Sequence, residues 1–140
     1  MTEIHPIEAG LFQLKLQSTG APGAPTVALT LGVYTPTGKV TGFAEVKQAT
    51  NPPLDVRSHV LGDLIYETVI GPGSKVRIDL TGYPEIVWPK DGGVGPAIPL
   101  NFKAIILLEP DFSKGTIEYQ YRKDLTGKWH VVREPIHKLA

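Results

Sequence analysis

Cysteine is missing from all 140 residues, and its absence removes several chemistries at once. Disulfide frameworks, thiolate nucleophiles and cysteine-ligated zinc sites all need the thiol. Charge of one sign is missing too, since 14 Lys and Arg stand against 14 Asp and Glu. A nucleic-acid binder carries a basic surplus, so no nucleic-acid partner is expected. No apolar run approaches the ~20 residues that cross a bilayer, so no membrane span is expected. The opening MTEIHPIEAG has neither a basic start nor an apolar stretch, so no secretory signal is read there. A cytoplasmic protein is the expectation, with export by a signal-free route left open. Helical periodicity over a normal helix length is absent, and so is any internal repeat.

Turn formers are plentiful. Fifteen glycines and 13 prolines are spread between short apolar stretches, which marks many turns and not low complexity. A chain of this length suits one domain, expected to occupy 1–140 with loose ends at 1–9 and 134–140. It buries roughly two thirds of its unfolded surface without help from a metal.

The organising stretch is Thr26 to Gln48, a β-hairpin. Val27, Leu29, Leu31 and Val33 fall on one face, and Val40, Gly42, Ala44 and Val46 continue it on the return arm. That period of two is the mark of a half-buried strand. Thr35-Pro36-Thr37-Gly38 supplies the turn, with proline presetting φ and glycine accepting a positive one. Phe43 stands out as an aromatic on the charged face.

Further strands are expected at Leu11–Gln17, Leu54–Ile70 (with a bulge at Gly62), Lys75–Thr81, Leu100–Leu108, Thr116–Lys123 and Lys128–Arg133. The adjacent Pro52 and Pro53 make a hard corner. The segment Pro89–Pro99 is the least structured, and the tail from Glu134 trails away. These strands predict an all-β, single-domain antiparallel β-sandwich of about eight strands, with a small β-barrel as the alternative. The sandwich is preferred because Leu54–Ile70 and Leu100–Leu108 carry apolar residues on both faces.

The words VYTPTGKV (Val33–Val40), QATNPPLDVRSHVLG (Gln48–Gly62) and LTGYP (Leu80–Pro84) resemble motifs of a small all-β family of Gram-negative bacteria. That family carries a domain-of-unknown-function label. The resemblance runs from about Leu11 to the last strand and implies the fold alone, with no activity or site residues to carry over.

No catalytic constellation is read from the sequence. His5, His59, His130 and His137 show no metal-pair spacing, so no metal or cofactor is expected. Ser58, His59 and Asp55 suggest a triad, but alternation puts Ser58 on the face opposite the other two. Asp91-Gly92-Gly93-Val94-Gly95 lacks the Lys-Ser/Thr of a phosphate loop. Asp55, Asp63, Glu67, Asp79, Glu85, Asp91, Glu109, Asp111 and Glu118 offer carboxylates for a cross-strand acid–base pair, the basis of a glycan-acting enzyme as an alternative. Solvated charges on an outer face are their ordinary role.

Binding is the reading preferred over catalysis. Tyr83 and Trp88, with Lys90 and Asp91, flank or occupy the Pro89–Pro99 loop, and loops on rigid scaffolds carry binding. Trp129 is expected in the core. Leu61 and Ile65, with Ile105 and Leu107, need cover from a second sheet, a partner or a second copy in a homodimer. The sequence reading is therefore a non-catalytic module for an unknown protein, small-molecule or glycan ligand. A structural or assembly role is a further alternative.

Overall fold

The computed structural model describes residues 10–50, 52–67, 75–84, 99–124 and 127–139. Eight strands follow one another: β1 (Leu11–Ser18), β2 (Thr26–Tyr34), β3 (Lys39–Gln48), β4 (Leu54–Glu67), β5 (Lys75–Pro84), β6 (Phe102–Leu108), β7 (Lys114–Tyr121) and β8 (His130–Lys138). Each pairs antiparallel with its neighbour in sequence, and β8 returns to β1, so the sheet closes into an up-and-down barrel. Among the described residues there is no helix.

The alternation seen in the sequence is what fills the interior. Leu14, Leu16, Val27, Leu29, Leu31, Val33, Val40, Val46, Ile78, Ile106, Leu108 and Ile117 all point inward and are buried. The charged residues of the same strands point outward. Following register partners from Leu14 through Leu31, Gly42, Val60, Gly82, Phe102, Tyr121 and His130 climbs about ten residues along β1 in one circuit. Strands staggered in that way tilt, and eight of them enclose a space that side chains can fill.

Of the two architectures expected, the strands form the barrel. The apolar outer positions that favoured a sandwich are not covered by a second sheet. Leu61, Ile65, Ile105 and Leu107 face outward and are 36–50 % exposed. β6 is accordingly buried on one face only, with Lys103, Ile105 and Leu107 alternating against buried Ala104, Ile106 and Leu108.

Two further expectations are corrected. Gly62 makes no bulge, since β4 pairs residue for residue with both β3 and β5 through that point. Glycine stands there because a Cβ would run into the Asp79 carbonyl oxygen of β5. The segment from Glu134 does not trail away either. It is the second half of β8, with Glu134 and Ile136 buried. Pro135 suggested a strand end, but its carbonyl faces the β1–β8 seam and accepts the Thr19 N–H at 2.9 Å. Its missing donor therefore falls on the seam side, where β1 has already ended, and no bond to β7 is lost. Residues 1–9, and the Thr68–Ile70 end expected of β4, lie outside the described residues.

The hairpin turn forms as expected. Gly38 takes a φ of 73°, its N–H donates to the Tyr34 carbonyl at 2.8 Å, and its own carbonyl accepts the Leu64 N–H at 2.7 Å.

Candidate functional site

The two ends of the barrel differ. At the end that carries the β2–β3 turn, the interior is aliphatic and Phe12 meets Phe112 edge-on, ring centroids 5.4 Å apart. At the other end, where β1, β3, β5 and β7 finish, the inward side chains become polar and aromatic. Ser18, Ser58, Asn101 and Glu134 are all buried there, together with Tyr119 and Tyr121.

Most of that polar set is satisfied and holds the strand ends together. Ser18 Oγ accepts the Val27 N–H at 2.8 Å. Ser58 Oγ donates to Asn101 Oδ1 at 2.7 Å, and Asn101 Nδ2 donates to the Arg57 carbonyl at 3.2 Å. Asn101 also donates its N–H to the Gly82 carbonyl and accepts the Arg122 N–H, so one side chain and its backbone link β4, β5, β6 and β7. Ser58 is thus a structural residue. His59 lies on the outer wall against Phe43, and Asp55 pairs with Arg57 at 3.4 Å, so no triad assembles.

Two tyrosines are treated differently. Tyr119 is fully buried and donates its hydroxyl to Glu134 Oε1 at 3.1 Å. Burial pushes its phenol well above the ordinary tyrosine range, and the Glu134 carboxylate reinforces the shift. Glu134 Oε2 is buried and has no hydrogen-bond partner. It sits so close to Gly20 that a Cβ there would collide with it. Tyr121 is only 5 % exposed, and its phenol is also raised by burial. Its ring stacks on the His130 ring, centroids 5.2 Å apart.

Tyr121 and His130 line an open cavity of about 480 Å³ at this mouth. Gln48, Thr50, Pro52, Pro53, Leu54, Lys123 and Asp124 line it as well. The corner predicted from Pro52-Pro53 therefore lines this cavity. Thr50 Oγ1 donates to the Pro52 carbonyl at 2.7 Å, and Gln48 Nε2 donates to the Gly23 carbonyl at 2.9 Å, which fixes the corner against the β1–β2 loop.

The outer wall carries the remaining expected site residues. Tyr83, 38 % exposed, is the register partner of His59, which is the partner of Phe43. The Phe43 and His59 rings lie 4.6 Å apart, so an aromatic row crosses β3, β4 and β5. Trp88, Lys90 and Asp91 lie outside the described residues. Leu61 and Ile65 on β4 are separated from Ile105 and Leu107 on β6 by β5, whose Arg77 and Asp79 pair at 2.7 Å. The four apolar residues share a wall without forming one continuous strip. Trp129 is not a core residue: it is half-buried between Lys103 Nζ at 4.7 Å and Arg122 Cζ at 4.5 Å, a double cation–π contact.

Asp63 and Asp79 are register partners across β4 and β5, with Asp63 paired to Lys39 at 2.9 Å, and Asp79 and Glu118 stand one strand further apart. The latter two flank Ile105 over a shallow hollow of about 250 Å³. Asp79 is bound to Arg77, and Glu118 to Arg133 at 2.9 Å. Among the described residues no three His, Asp or Glu side chains gather as metal ligands.

A family model described as a domain of unknown function, DUF1842, matches residues 9–129. The chain belongs to the DUF1842 family. The match stops one residue short of β8, so the strand that closes the barrel and carries Glu134 lies beyond it. A search of curated proteins finds no match.

The sequence reading leaves Glu134 in a tail, which the structure corrects, and it does not bring Tyr121 and His130 together at the mouth. The signal for Glu134 was present, because Val132, Glu134 and Ile136 carry the period of two straight through Pro135.

Proposed function

We propose that this DUF1842 protein is a non-catalytic binding module of the cytoplasm, and that its ligand enters at the polar mouth of the barrel. The observation that supports the reading best is Tyr121. It is a buried tyrosine whose ring stacks on the exposed His130 ring, and both line the cavity at the mouth. The surrounding cavity is of ligand size, since small-molecule pockets run from about 300 to 1,000 Å³. Catalysis finds less support. Asp63 is engaged by Lys39, and Asp79 and Glu118 each by an arginine, all on an open wall where nothing encloses a reacting group.

The test is a fragment library titrated into isotope-labelled protein, with shifted amides mapped on the barrel. Shifts gathered on Gln48, Thr50, Tyr121 and His130 are the expected result. Shifts confined to the outer wall would refute the mouth as the site.

A second reading rests on the exposed Leu61, Ile65, Ile105 and Leu107, which offer a wall to a protein partner or a second copy in a homodimer. Light scattering on a sizing column checks the dimer: a strict monomer at high concentration removes it.

A further inference from the structure

We infer that the ligand taken at the barrel mouth is a neutral saccharide of one or two rings, an inference that rests on the mouth being the binding site. A pyranose offers an apolar C–H face and a rim of hydroxyls, each able to donate and accept. The mouth matches both parts. The His130 ring is exposed and is backed by Tyr121 at 5.2 Å with 25° between the planes, so the stack presents a supported flat surface. Pro52 and Pro53, both exposed, add apolar surface to the same cavity with little conformational freedom to lose. A ring packed on the His130 face gains stacking, and the prolines of the same cavity offer it apolar contact.

The polar groups match the hydroxyl rim. Tyr121 lines the cavity, and its hydroxyl, with the phenol raised by burial, can donate to a sugar oxygen. In the same cavity Lys123 donates and Asp124 accepts, and their charges oppose each other, so the mouth has no net field selecting a cation or an anion. A volume of about 480 Å³ is far larger than a simple ion needs and suits a ligand of one or two sugar rings.

The test is amide-shift titration of the full chain with glucose, galactose, mannose, N-acetylglucosamine, maltose, cellobiose and chitobiose, each carried to about 10 mM or above. A parallel arm uses the zwitterions glycine and lysine, which these opposed charges would take if ionic pairing ruled. The expected result is saturable binding of at least one saccharide with shifts at Thr50, Tyr121 and His130. Tyr121→Phe, which removes one oxygen and keeps the ring stack, is expected to weaken it about five- to tenfold. His130→Ala, at an exposed position, is expected to weaken it by a similar factor. Phe43→Ala on the outer wall leaves it unchanged. Three results would overturn the inference: no saccharide shifting the mouth, shifts that Tyr121→Phe does not weaken, or zwitterions binding where the sugars do not. The last leaves the mouth standing as a binding site and refutes only the ligand class.

Discussion

Replacing Tyr119 with phenylalanine removes one oxygen from the barrel interior, and the loss should be disproportionate. That oxygen is the donor at 3.1 Å to Glu134 Oε1, while Oε2 has no partner. Without it, a carboxylate that is only 7 % exposed has neither oxygen satisfied. A hydrogen bond to a charged group contributes about 1.5–3 kcal/mol, and stranding the acceptor puts the cost at the upper end, about 2–3 kcal/mol. With a urea slope of about 1–3 kcal/mol per molar, the midpoint should fall by about 1–2 M. Glu134→Met alone removes the buried charge but leaves the Tyr119 hydroxyl unpaired, which costs about 1–2 kcal/mol. The double variant Tyr119→Phe with Glu134→Met replaces the pair by apolar groups of similar size. It should return to within about 1 kcal/mol of the parent, because buried polar pairs are often neutral to such replacement. The signature is therefore strong non-additivity in a double-mutant cycle read from urea midpoints at constant slope. If Tyr119→Phe proves neutral, or if the two losses simply add, Glu134 is not held by that single bond and the account of the interior is wrong.

The raised phenols of Tyr119 and Tyr121 make a pH prediction whose sign is fixed by linkage. Their contribution is fully present below the unfolded tyrosine value of about 10 and is lost as pH rises through the folded values. Stability should thus be level from about pH 8 to 9.5 and then fall by up to about 1.4 kcal/mol per pH unit for each phenol; urea midpoints that stay flat to pH 11 refute it. Gly62→Ala puts a Cβ against the Asp79 carbonyl and should cost about 2–3 kcal/mol. Gly32→Ala, where the nearest neighbour is the Thr41 carbonyl oxygen at 3.8 Å, should stay within about 0.5 kcal/mol, and equal effects would refute the steric reading. Ile136→Ala, in the segment expected to trail but 1 % exposed in β8, should lower stability by about 2–4 kcal/mol in the same melts; a neutral result would mean that the last strand is not part of the core.

The sequence made the scaffold legible because side-chain alternation is a local property. Val27, Leu29, Leu31 and Val33 declare their face without knowledge of any partner strand, and the turn at Pro36 and Gly38 does the same. What alternation does not encode is whether the sheet meets itself. Closure depends on β8 pairing with β1 more than a hundred residues away, and Pro135 hid half of β8. Outward Ile105 and Leu107 then read as demanding a second layer, whereas a small protein's surface is in large part apolar and tolerates them. The mouth was less legible still. Tyr121, His130, Pro52 and Gln48 come from three separate strand ends and a corner, and only the stagger of the closed sheet brings them together. Tyr83 was legible as exposed, but its row with His59 and Phe43 follows from register, which one strand read alone does not contain.

The seam between β1 and β8 has only three register pairs, Leu16 with Lys138, Gln17 with His137 and Ser18 with Ile136, where its neighbours have seven or more. Because the pairing joins β1 to β8, a ribosome must deliver all eight strands before the cylinder can shut. Translation adds about 5–20 residues per second, so for several seconds the nascent protein is a curled ribbon showing its oily inner surface and two unpaired margins. Chaperone attendance during synthesis, and clumping when synthesis is forced, follow from where this fold places its final stitch.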